Sequence, residues 1–315
     1  MSEDSDAHAA GACERVTRRT AIMLLGGTMI LPAVASGLAD GPARRQVPRS
    51  GESLPALGLG TWQTFDTPPD GPDFDAAAAT LERFVAAGGR LIDTSPMYGR
   101  AEARVGDILA ATDLSDGVFL ATKIWTRGEQ EGRRQLADSL RLLRRESLDL
   151  VQVHNLVDFD THWRTLNEAR EAGKVRHLGI THWQASAHDE LERTLRSARP
   201  EFLQVNYSLA EPEAGNRLLP AARDLGVAVL VNRPFTKGSM IDRAAGKPLP
   251  PEADELGCRT AAQLFLKWVL GDPAVTVALT GTRNPAHAAE NIEAASAPFP
   301  DAGQRRAIAR WFASL

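Results

Sequence analysis

Cysteine is scarce in this chain: Cys13 and Cys258 are the only two in 315 residues. At most one disulfide can form, which excludes a small fold held together by a disulfide framework. A chain of this length buries enough apolar surface to need neither a disulfide nor a structural metal. Lysine and tyrosine are also rare, with five lysines and two tyrosines. A lysine or tyrosine at a special position is therefore informative.

No charge of one sign dominates the sequence. There are 36 basic and 40 acidic residues, for a net charge of -4. Without a basic excess, a nucleic-acid-binding role is disfavoured. No apolar run reaches the ~20 residues that a membrane-spanning helix needs. The hydrophobic share of 43% and the charged share of 24% are ordinary for a globular domain, which excludes disordered, collagen-like and polytopic membrane proteins.

The first 39 residues differ in character from the rest of the chain. A paired arginine, in Thr17-Arg18-Arg19, precedes a short apolar run that ends at Ala33-Val34-Ala35. This pattern is typical of a twin-arginine (Tat) export signal with a small-residue cleavage motif. We therefore expect residues 1–39 to be an export signal and polar extension, the Tat export machinery to be a partner, and the mature protein to be periplasmic. The alternative is a cytoplasmic protein whose signal does not function.

After residue 45, apolar strand-like segments alternate with stretches of helical period. Each segment is continuously apolar, which is typical of parallel strands covered on both faces. Eight such strands are predicted, at Leu57–Trp62, Arg90–Thr94, Val118–Ile124, Leu148–His154, Val175–Thr181, Phe202–Tyr207, Val227–Val231 and Val275–Leu279.

Eight strand–helix units predict an α/β fold of the (β/α)8 TIM-barrel type over residues 46–315. Six units would favour an open doubly wound sheet instead, and no G-x-G-x-x-G follows the first strand to support one. The polar turn Ser50-Gly51-Glu52 predicts a β-hairpin ahead of the barrel. Asn284-Pro285 predicts the start of the eighth helix, because Pro is favoured at the first helical position.

Polar residues follow three neighbouring strands where each one ends. These are Asp93 with Tyr98 after strand two, Lys123 at the end of strand three and His154 at the end of strand four. Active sites of TIM barrels lie at this edge. Taken singly, Asp93 could cap a turn, Tyr98 could anchor a loop and His154 could be a core histidine. A lysine inside an apolar strand needs a counter-ion, because a buried unpaired charge is very costly, and Asp93 is the natural one.

These residues and the motifs around them resemble the aldo/keto reductase family, and the resemblance runs from about residue 46 to 315. The matching motifs occur in order along the predicted barrel: Gly58-Leu59-Gly60-Thr61-Trp62, Leu91-Ile92-Asp93-Thr94-Ser95-Pro96-Met97-Tyr98-Gly99, Thr122-Lys123, Val153-His154, Val175-Arg176-His177-Leu178-Gly179-Ile180, Gln204-Val205-Asn206-Tyr207, and Gly281-Thr282-Arg283 through Glu290-Asn291. The resemblance implies NADP(H)-dependent reduction of an aldehyde or ketone, with a catalytic tetrad of Asp93, Tyr98, Lys123 and His154.

General acid–base chemistry agrees with these roles. A proton donor aimed at the carbonyl oxygen stabilises the charge that develops during hydride transfer. A free phenol, with a pKa of about 10, is a slow donor. We expect Lys123 to lower the pKa of Tyr98, Asp93 to hold Lys123, and His154 to bind the substrate oxygen.

The resemblance also implies a set of cofactor contacts on the later strands and loops. For the nicotinamide end these are Thr181, His182, Gln204, Asn232 and Arg233, and for the pyrophosphate they are Phe235, Lys237 and Gly238. His182 stands where the family usually has Asn, and Asn232 where it has an aromatic residue. Arg233 could stack its guanidinium in place of that aromatic.

The adenosine end of the cofactor is expected at the eighth helix. The residues implied there are Gly281, Thr282, Arg283, His287, Glu290 and Asn291. The usual Lys and Arg for the 2′-phosphate match Gly281 and His287, which leaves Arg283 as the expected phosphate ligand. NADP(H) is the expected cofactor, with NAD as the alternative.

Trp62, Phe65 and Trp125 follow barrel strands and are expected to line an apolar substrate pocket.

No metal site is expected. Two alternatives remain at this point. One is a regulatory barrel that binds nucleotide but turns over little, which the altered His182 and Asn232 positions would suit. The other is a metal-dependent TIM-barrel hydrolase, although the early strands carry no His-x-His.

Overall fold

The computed structural model describes residues 41–112, 114 and 116–315. The predicted export signal over residues 1–39 lies outside this part of the chain. Among the described residues, no helix combines the length and apolar character needed to cross a membrane.

Ten strands form a hairpin and a closed barrel. The strands are β1 Arg44–Gln46, β2 Ser53–Pro55, β3 Leu57–Gly60, β4 Leu91–Asp93, β5 Phe119–Ile124, β6 Leu148–His154, β7 Val175–His182, β8 Phe202–Asn206, β9 Ala228–Asn232 and β10 Val275–Gly281. β1 and β2 pair antiparallel, and β3 to β10 close a parallel barrel in which β10 pairs with β3. The predicted (β/α)8 barrel with an N-terminal hairpin is confirmed.

Eleven helices are seen in the described residues, most of them on the outside of the barrel. They are α1 Pro72–Ala86, α2 Ala101–Ala111, α3 Glu129–Leu142, α4 Phe159–Glu171, α5 His188–Ala198, α6 Leu218–Asp224, α7 Ser239–Ala244, α8 Glu252–Glu255, α9 Ala261–Leu270, α10 Pro285–Ala294 and α11 Ala302–Ser314. α10 begins at Pro285 as predicted, and the Asn284 side chain caps it by accepting from the Ala286 N–H at 2.9 Å.

Two apolar layers hold the barrel together. Outward-facing strand residues such as Ile92, Val151 and Leu203 pack against the helices. Inward-facing residues at the lower ends of the strands, such as Phe119 and Phe202, fill the barrel and meet Val47 and Leu54 of the hairpin. The hairpin therefore closes the N-terminal end of the barrel, and the polar inward-facing residues are left at the C-terminal end.

Candidate active site

The strand pleat places the polar residues of several strands on the inner face of the barrel. Successive residues of a strand point to opposite faces, so Lys123 shares its face with Ala121, and His154 shares its face with Gln152. The register pairs Lys123 with Gln152, and His154 with Thr181. Asp93 ends β4 one strand away from Lys123. The pleat and the register of the strands therefore bring these side chains together at one end of the barrel.

Lys123 and Asp93 form a buried ion pair. Lys123 Nζ donates to Asp93 Oδ2 at 2.8 Å and to the Thr94 carbonyl at 2.8 Å. Burial alone would lower the pKa of Lys123, but Asp93 and Tyr98 oppose it and the net pKa lies above the usual value. The lysine is thus held protonated in a site where an unpaired charge would be strongly disfavoured.

Two buried amides hold the second carboxylate oxygen of Asp93, a contact that was not among the predictions from the sequence. Gln204 Nε2 donates to Asp93 Oδ1 at 2.7 Å and Gln152 Nε2 at 3.4 Å. Thr181 Oγ1 donates in turn to Gln204 Oε1 at 3.3 Å. Gly179 leaves room for this network, because a Cβ there would lie 3.0 Å from Gln152 Cγ. The position of Gln152, two residues before His154, is the signal that could have identified it.

Tyr98 lies in the turn after β4, directly beside the lysine. Lys123 Nζ is 4.9 Å from the centroid of the Tyr98 ring. The turn is fixed at Gly99, whose φ of +61 is unfavourable for other residues and whose Cβ would lie 2.4 Å from Asp66 Oδ2. Burial raises the pKa of the Tyr98 phenol; Lys123 opposes this rise, and Asp93 adds to it. The net direction is opposite to the one expected from the sequence, because burial outweighs the ammonium.

His154 completes the group from the end of β6. Its ring centroid is 6.4 Å from that of Tyr98, with the two planes at 89°. Burial, together with Lys123 and His182, lowers the pKa of His154 to about 3. The ring is therefore neutral around physiological pH. Ser95 Oγ lies 3.5 Å from His154 Nδ1 and accepts from the Met97 N–H at 3.4 Å, so its own proton is available to Nδ1.

The aromatic residues predicted for the substrate pocket divide into two groups. Trp62 and Trp125 are exposed at the mouth, where Lys237 Nζ lies 4.8 Å from the Trp62 ring centroid and Trp125 lies 6.5 Å from the His154 ring. Phe65 is fully buried in the core between sheet and helices. Phe65 therefore offers no exposed surface to the mouth, and its place in the substrate pocket stays a prediction.

The loop after β9 has an unusual backbone. Arg233, Thr236 and Lys237 have φ values of 54, 49 and 58, a left-handed conformation that is uncommon for residues other than glycine. Such strain persists only where the surroundings fix it, and it concentrates at functional sites. Gly238 follows with a φ of 93 and leads into α7. Phe235 packs partly buried against the core beneath this loop.

Arg233 stacks on an aromatic ring of the protein itself, and its predicted stacking at the nicotinamide stays a prediction. Its guanidinium carbon is 5.3 Å from the ring centroid of Trp183, and Nη2 donates to Glu211 Oε1 at 3.1 Å. Glu211 also accepts from Asn206 Nδ2 at 2.7 Å. Glu211 and Trp183 therefore join the group of residues at this side of the mouth.

A sequence profile decides the family of the chain. The profile of the Aldo/keto reductase family matches residues 56–306, which span the barrel from just before β3 into α11. The chain belongs to the aldo/keto reductase family. This assignment covers all eight barrel strands and all four residues of the proposed tetrad, and it does not support the metal-dependent hydrolase alternative.

Individual aldo/keto reductases resemble the chain at moderate identity. It is 26% identical over 273 residues to the aldo-keto reductase YhdN of Bacillus subtilis, covering 73% of this chain and 81% of that protein. It is 26% identical over 306 residues to an NADH-specific methylglyoxal reductase of Escherichia coli, covering 79% and 92%. An aldo-keto reductase of Klebsiella pneumoniae in complex with NADPH shares the fold, with a TM-score of 0.69, 24% identity and coverage of 83% and 92%.

In this aldo/keto reductase, His182 is held in one orientation. The Gln184 N–H donates to His182 Nδ1 at 3.1 Å, and burial lowers the pKa of the ring. Because Nδ1 accepts, the ring carries its proton on Nε2. A neutral His182 therefore presents an N–H donor, as the side chain of the usual Asn does.

At the start of α10, some of the loop residues already make hydrogen bonds that cap the helix. Gly281 ends β10, and Thr282 Oγ1 accepts from the Asn284 N–H at 3.0 Å. Arg283 Nη2 lies 3.2 Å from Asp73 Oδ1 at the start of α1, and both side chains are accessible to solvent. Arg283 is therefore the cation of this loop, and Asp73 is its counter-ion.

Further along α10, the predicted adenosine contacts have different surroundings. His287 is exposed, and Asn291 is buried. Glu290 Oε1 accepts from Thr260 Oγ1 at 2.5 Å, which ties α10 to the start of α9. The cofactor contacts at both ends stay predictions. Within residues 41–112, 114 and 116–315, no three His, Cys, Asp or Glu side chains gather in a group that could hold a metal ion.

Proposed function

We propose that the protein reduces an aldehyde or ketone to the alcohol, reversibly, with NADP(H) as the cofactor. The observation that supports this most strongly is the buried Lys123–Asp93 ion pair, with Lys123 Nζ 2.8 Å from the carboxylate and 4.9 Å from the Tyr98 ring centroid. A buried ammonium against a phenol at the mouth of a barrel is an arrangement suited to proton transfer at a polarised oxygen.

Tyr98 is the proposed general acid. Its raised pKa keeps the phenol protonated until negative charge develops on the substrate oxygen. The adjacent Lys123 ammonium then stabilises the tyrosinate that remains. Asp93, fixed by Gln152 and Gln204, keeps Lys123 charged and pointed at Tyr98. In the oxidative direction Tyr98 is the base.

His154 is proposed to orient the substrate oxygen as a neutral donor. With the Ser95 hydroxyl donating to Nδ1, the ring proton lies on Nε2, the other nitrogen. A neutral imidazole N–H adds a second hydrogen bond to the developing charge without competing for the proton of Tyr98. When bound, NADPH supplies the hydride that reduces the carbonyl carbon.

The residues around β8 and β9 suit a nicotinamide carboxamide. Asn206 and Asn232 are register partners at the ends of these strands. The buried Oδ1 of each, and Nε of the adjacent Arg233, lack hydrogen-bond partners among the described residues. Buried polar atoms are nearly always paired, and these three suit a ligand that both donates and accepts. We propose that they hold the carboxamide with His182, and that Lys237 and Gly238 contact the pyrophosphate.

Arg283 is the proposed ligand of the 2′-phosphate, and thereby favours NADP(H) over NAD. A guanidinium matches a phosphate with two parallel hydrogen bonds. The relatives differ on this point, since the Klebsiella pneumoniae structure contains NADPH and the Escherichia coli reductase is NADH-specific. His287, Glu290 and Asn291 are proposed to contact the adenosine.

Replacing Arg283 by Ala should weaken NADPH by about tenfold or more and leave NADH nearly unchanged. The physical reason is the loss of a charge-assisted pair of hydrogen bonds to a group that only NADPH carries. Dissociation constants from fluorescence titration measure the effect. Arg259→Ala is the matched control, because Arg259 is an exposed arginine paired with Glu293 near the same helix. Equal weakening of both cofactors would contradict the assignment.

The rate of carbonyl reduction should show no ionisation of His154 between about pH 5 and 8. Its pKa of about 3 means that the ring is already neutral across this range. The alkaline loss of activity should come from Tyr98 and lie above about pH 10, because burial raises its pKa. A pH profile of kcat/KM measures both limits. A limb near pH 6.5 that disappears in His154→Gln would overturn the neutral-donor role.

Consumption of NADPH with a panel of carbonyl compounds tests the proposed function. A reactive aldehyde such as para-nitrobenzaldehyde should be reduced over many turnovers, and the panel then ranks natural carbonyl classes. A regulatory barrel would bind NADPH with the same change in the NADPH spectrum as a reductase, but it would give at most one slow turnover. That result would contradict the proposed reductase function and favour the regulatory one.

We also propose export by the Tat machinery to the periplasm, on the strength of Thr17-Arg18-Arg19 and the apolar run that follows. Replacing Arg18 and Arg19 together by Lys should leave the precursor in the cytoplasm, because the paired arginine is the recognised feature. Fractionation followed by immunoblotting measures the distribution. Replacing Arg15 by Lys is the control and should change nothing. Mature protein outside the inner membrane in the double variant would contradict the proposal.

A further inference from the structure

A second concave site lies at the opposite end of the barrel from the tetrad. It is a cavity of about 480 Å³ between the hairpin turn, α4, the start of β7 and the connection from α5 to β8. Its walls include four arginines, Arg49, Arg170, Arg176 and Arg199, with Trp163 as an apolar surface. The volume is within the range of small-molecule sites. None of the residues proposed for the reduction lines it.

The one acidic residue of the wall is already neutralised. Glu201 accepts from Arg170 Nη1 at 3.3 Å and lies 2.6 Å, through Oε2, from His177 Nδ1. Burial would lower the pKa of His177, but Glu201 and Glu52 oppose it and the net pKa is raised, which favours the imidazolium. Behind the wall, Arg176 is paired with Glu52 at 2.9 Å. Two of the four guanidinium groups, those of Arg170 and Arg176, are thus matched by carboxylates.

The other two arginines have no carboxylate partner in the described part of the chain. Arg49 donates to the main-chain carbonyls of Arg199 and Leu225. Arg199 has no side-chain hydrogen bond or ion pair to another described residue. Arg49 and Arg199 line the same cavity, and the Arg49 guanidinium lies against the main chain of Arg199. The two guanidinium groups, which no carboxylate of the described residues neutralises, carry the charge that one dianionic group in the cavity would neutralise.

We propose that this cavity binds a small phosphorylated metabolite, with its phosphate between Arg49 and Arg199 and its organic part against Trp163. Arginine pairs bind phosphate bidentately, and the concave shape favours a small molecule over a polymer. The Ser50 hydroxyl lines the same wall and adds a neutral donor.

The cavity is formed before any ligand arrives, because its hairpin wall is anchored. His177 is almost fully buried and bridges the two carboxylates, with its Nε2 3.0 Å from Glu52 Oε2 of the hairpin. The hairpin carries Arg49 and Ser50 at its turn, so the His177 bridge fixes their distance from β7 and β8. A preformed site loses less conformational entropy on binding.

Isothermal titration calorimetry of the full mature chain with glycerol phosphate tests the site. The titration is done at constant ionic strength and at about pH 8, where the probe is a dianion. Saturable binding at about 1 mM or below is expected. Arg199→Gln should weaken it at least tenfold. Arg193→Gln, which removes an exposed arginine within α5, should leave it unchanged. Arg283→Gln should also leave it unchanged, since Arg283 lies on the loop after β10, at the tetrad end of the barrel.

Three results would overturn the proposal: no saturable binding, equal weakening by Arg193→Gln, or weakening by Arg283→Gln in place of Arg199→Gln. Hydrogen exchange provides a readout that does not depend on the variants. Glycerol phosphate should slow exchange at residues 49–50 and 198–201. Slowing confined to the loop over residues 233–238 would place the probe at the other end of the barrel and contradict the assignment.

Discussion

Replacing Tyr98 by Phe is expected to lower the turnover number for carbonyl reduction by about 10² or more, the scale of general acid catalysis. The variant removes one oxygen from a partly buried ring and leaves the Lys123–Asp93 ion pair in place. The free energy of unfolding and the affinity for NADPH should therefore hardly change. Steady-state kinetics, with thermal unfolding measured on the same preparation, separates the effect on rate from the effect on folding.

The second tyrosine of the chain provides the matched control. Tyr207 is buried, donates to Asp272 Oδ2 at 2.9 Å and accepts from Arg305 Nη2 at 2.5 Å. Tyr207→Phe should lower the free energy of unfolding by about 1–2 kcal/mol, since it leaves charged partners without a hydrogen bond, and turnover per folded molecule should be unchanged. If Tyr98→Phe kept most of its activity, Tyr98 would not be the general acid.

Replacing Lys123 by Met is expected to abolish turnover to at least the same extent and also to destabilise the fold. Asp93 would remain buried with two amide donors but no cation, and breaking a buried pair costs about 3–5 kcal/mol. Because the amides of Gln152 and Gln204 still donate to the carboxylate, we expect the free energy of unfolding to fall by about 3 kcal/mol, the lower end of that range. Denaturant unfolding measures the stability and NADPH consumption measures the rate.

A double variant separates the two consequences of losing Lys123. Combining Lys123→Met with Asp93→Asn removes the unpaired charge, so most of the lost stability should return. Turnover should not return, because the Tyr98 tyrosinate still lacks a cation. A single Lys123→Met variant as stable as the original protein would show that the ion pair is not the structural centre of the site. Recovery of turnover in the double variant would remove Lys123 from the mechanism.

The barrel and the meeting of Asp93, Lys123 and His154 at one end of it were predictable because both follow from short-range patterns. Continuous apolar runs defined the strands, and β6 begins and ends as predicted, at Leu148 and His154. β10 continues two residues beyond its predicted end, since Thr280 and Gly281 pair with Leu59 and Gly60 although neither is apolar. The parallel topology then places every strand end on one edge, which is why Asp93, Lys123 and His154 meet.

The parts that were not predictable depend on distances across the barrel and on burial. Gln204 reaches Asp93 from a strand four positions around the sheet, and no local pattern encodes that contact. The direction of the Tyr98 pKa shift follows from how deeply the phenol is buried, which the residue types do not specify. Phe65 illustrates the same limit, because an aromatic residue after a strand can face either the mouth or the core.

Hydride transfer at this site is tested most directly by a single turnover with NADPH that carries deuterium at the transferable position of its nicotinamide ring. We expect the alcohol product to contain one deuterium on the former carbonyl carbon, and Tyr98→Phe to slow this transfer by about 10² or more. Mass spectrometry of the product and stopped-flow absorbance of NADPH give both quantities. Product without deuterium, or no oxidation of bound NADPH with any reactive aldehyde, would contradict hydride transfer by this site.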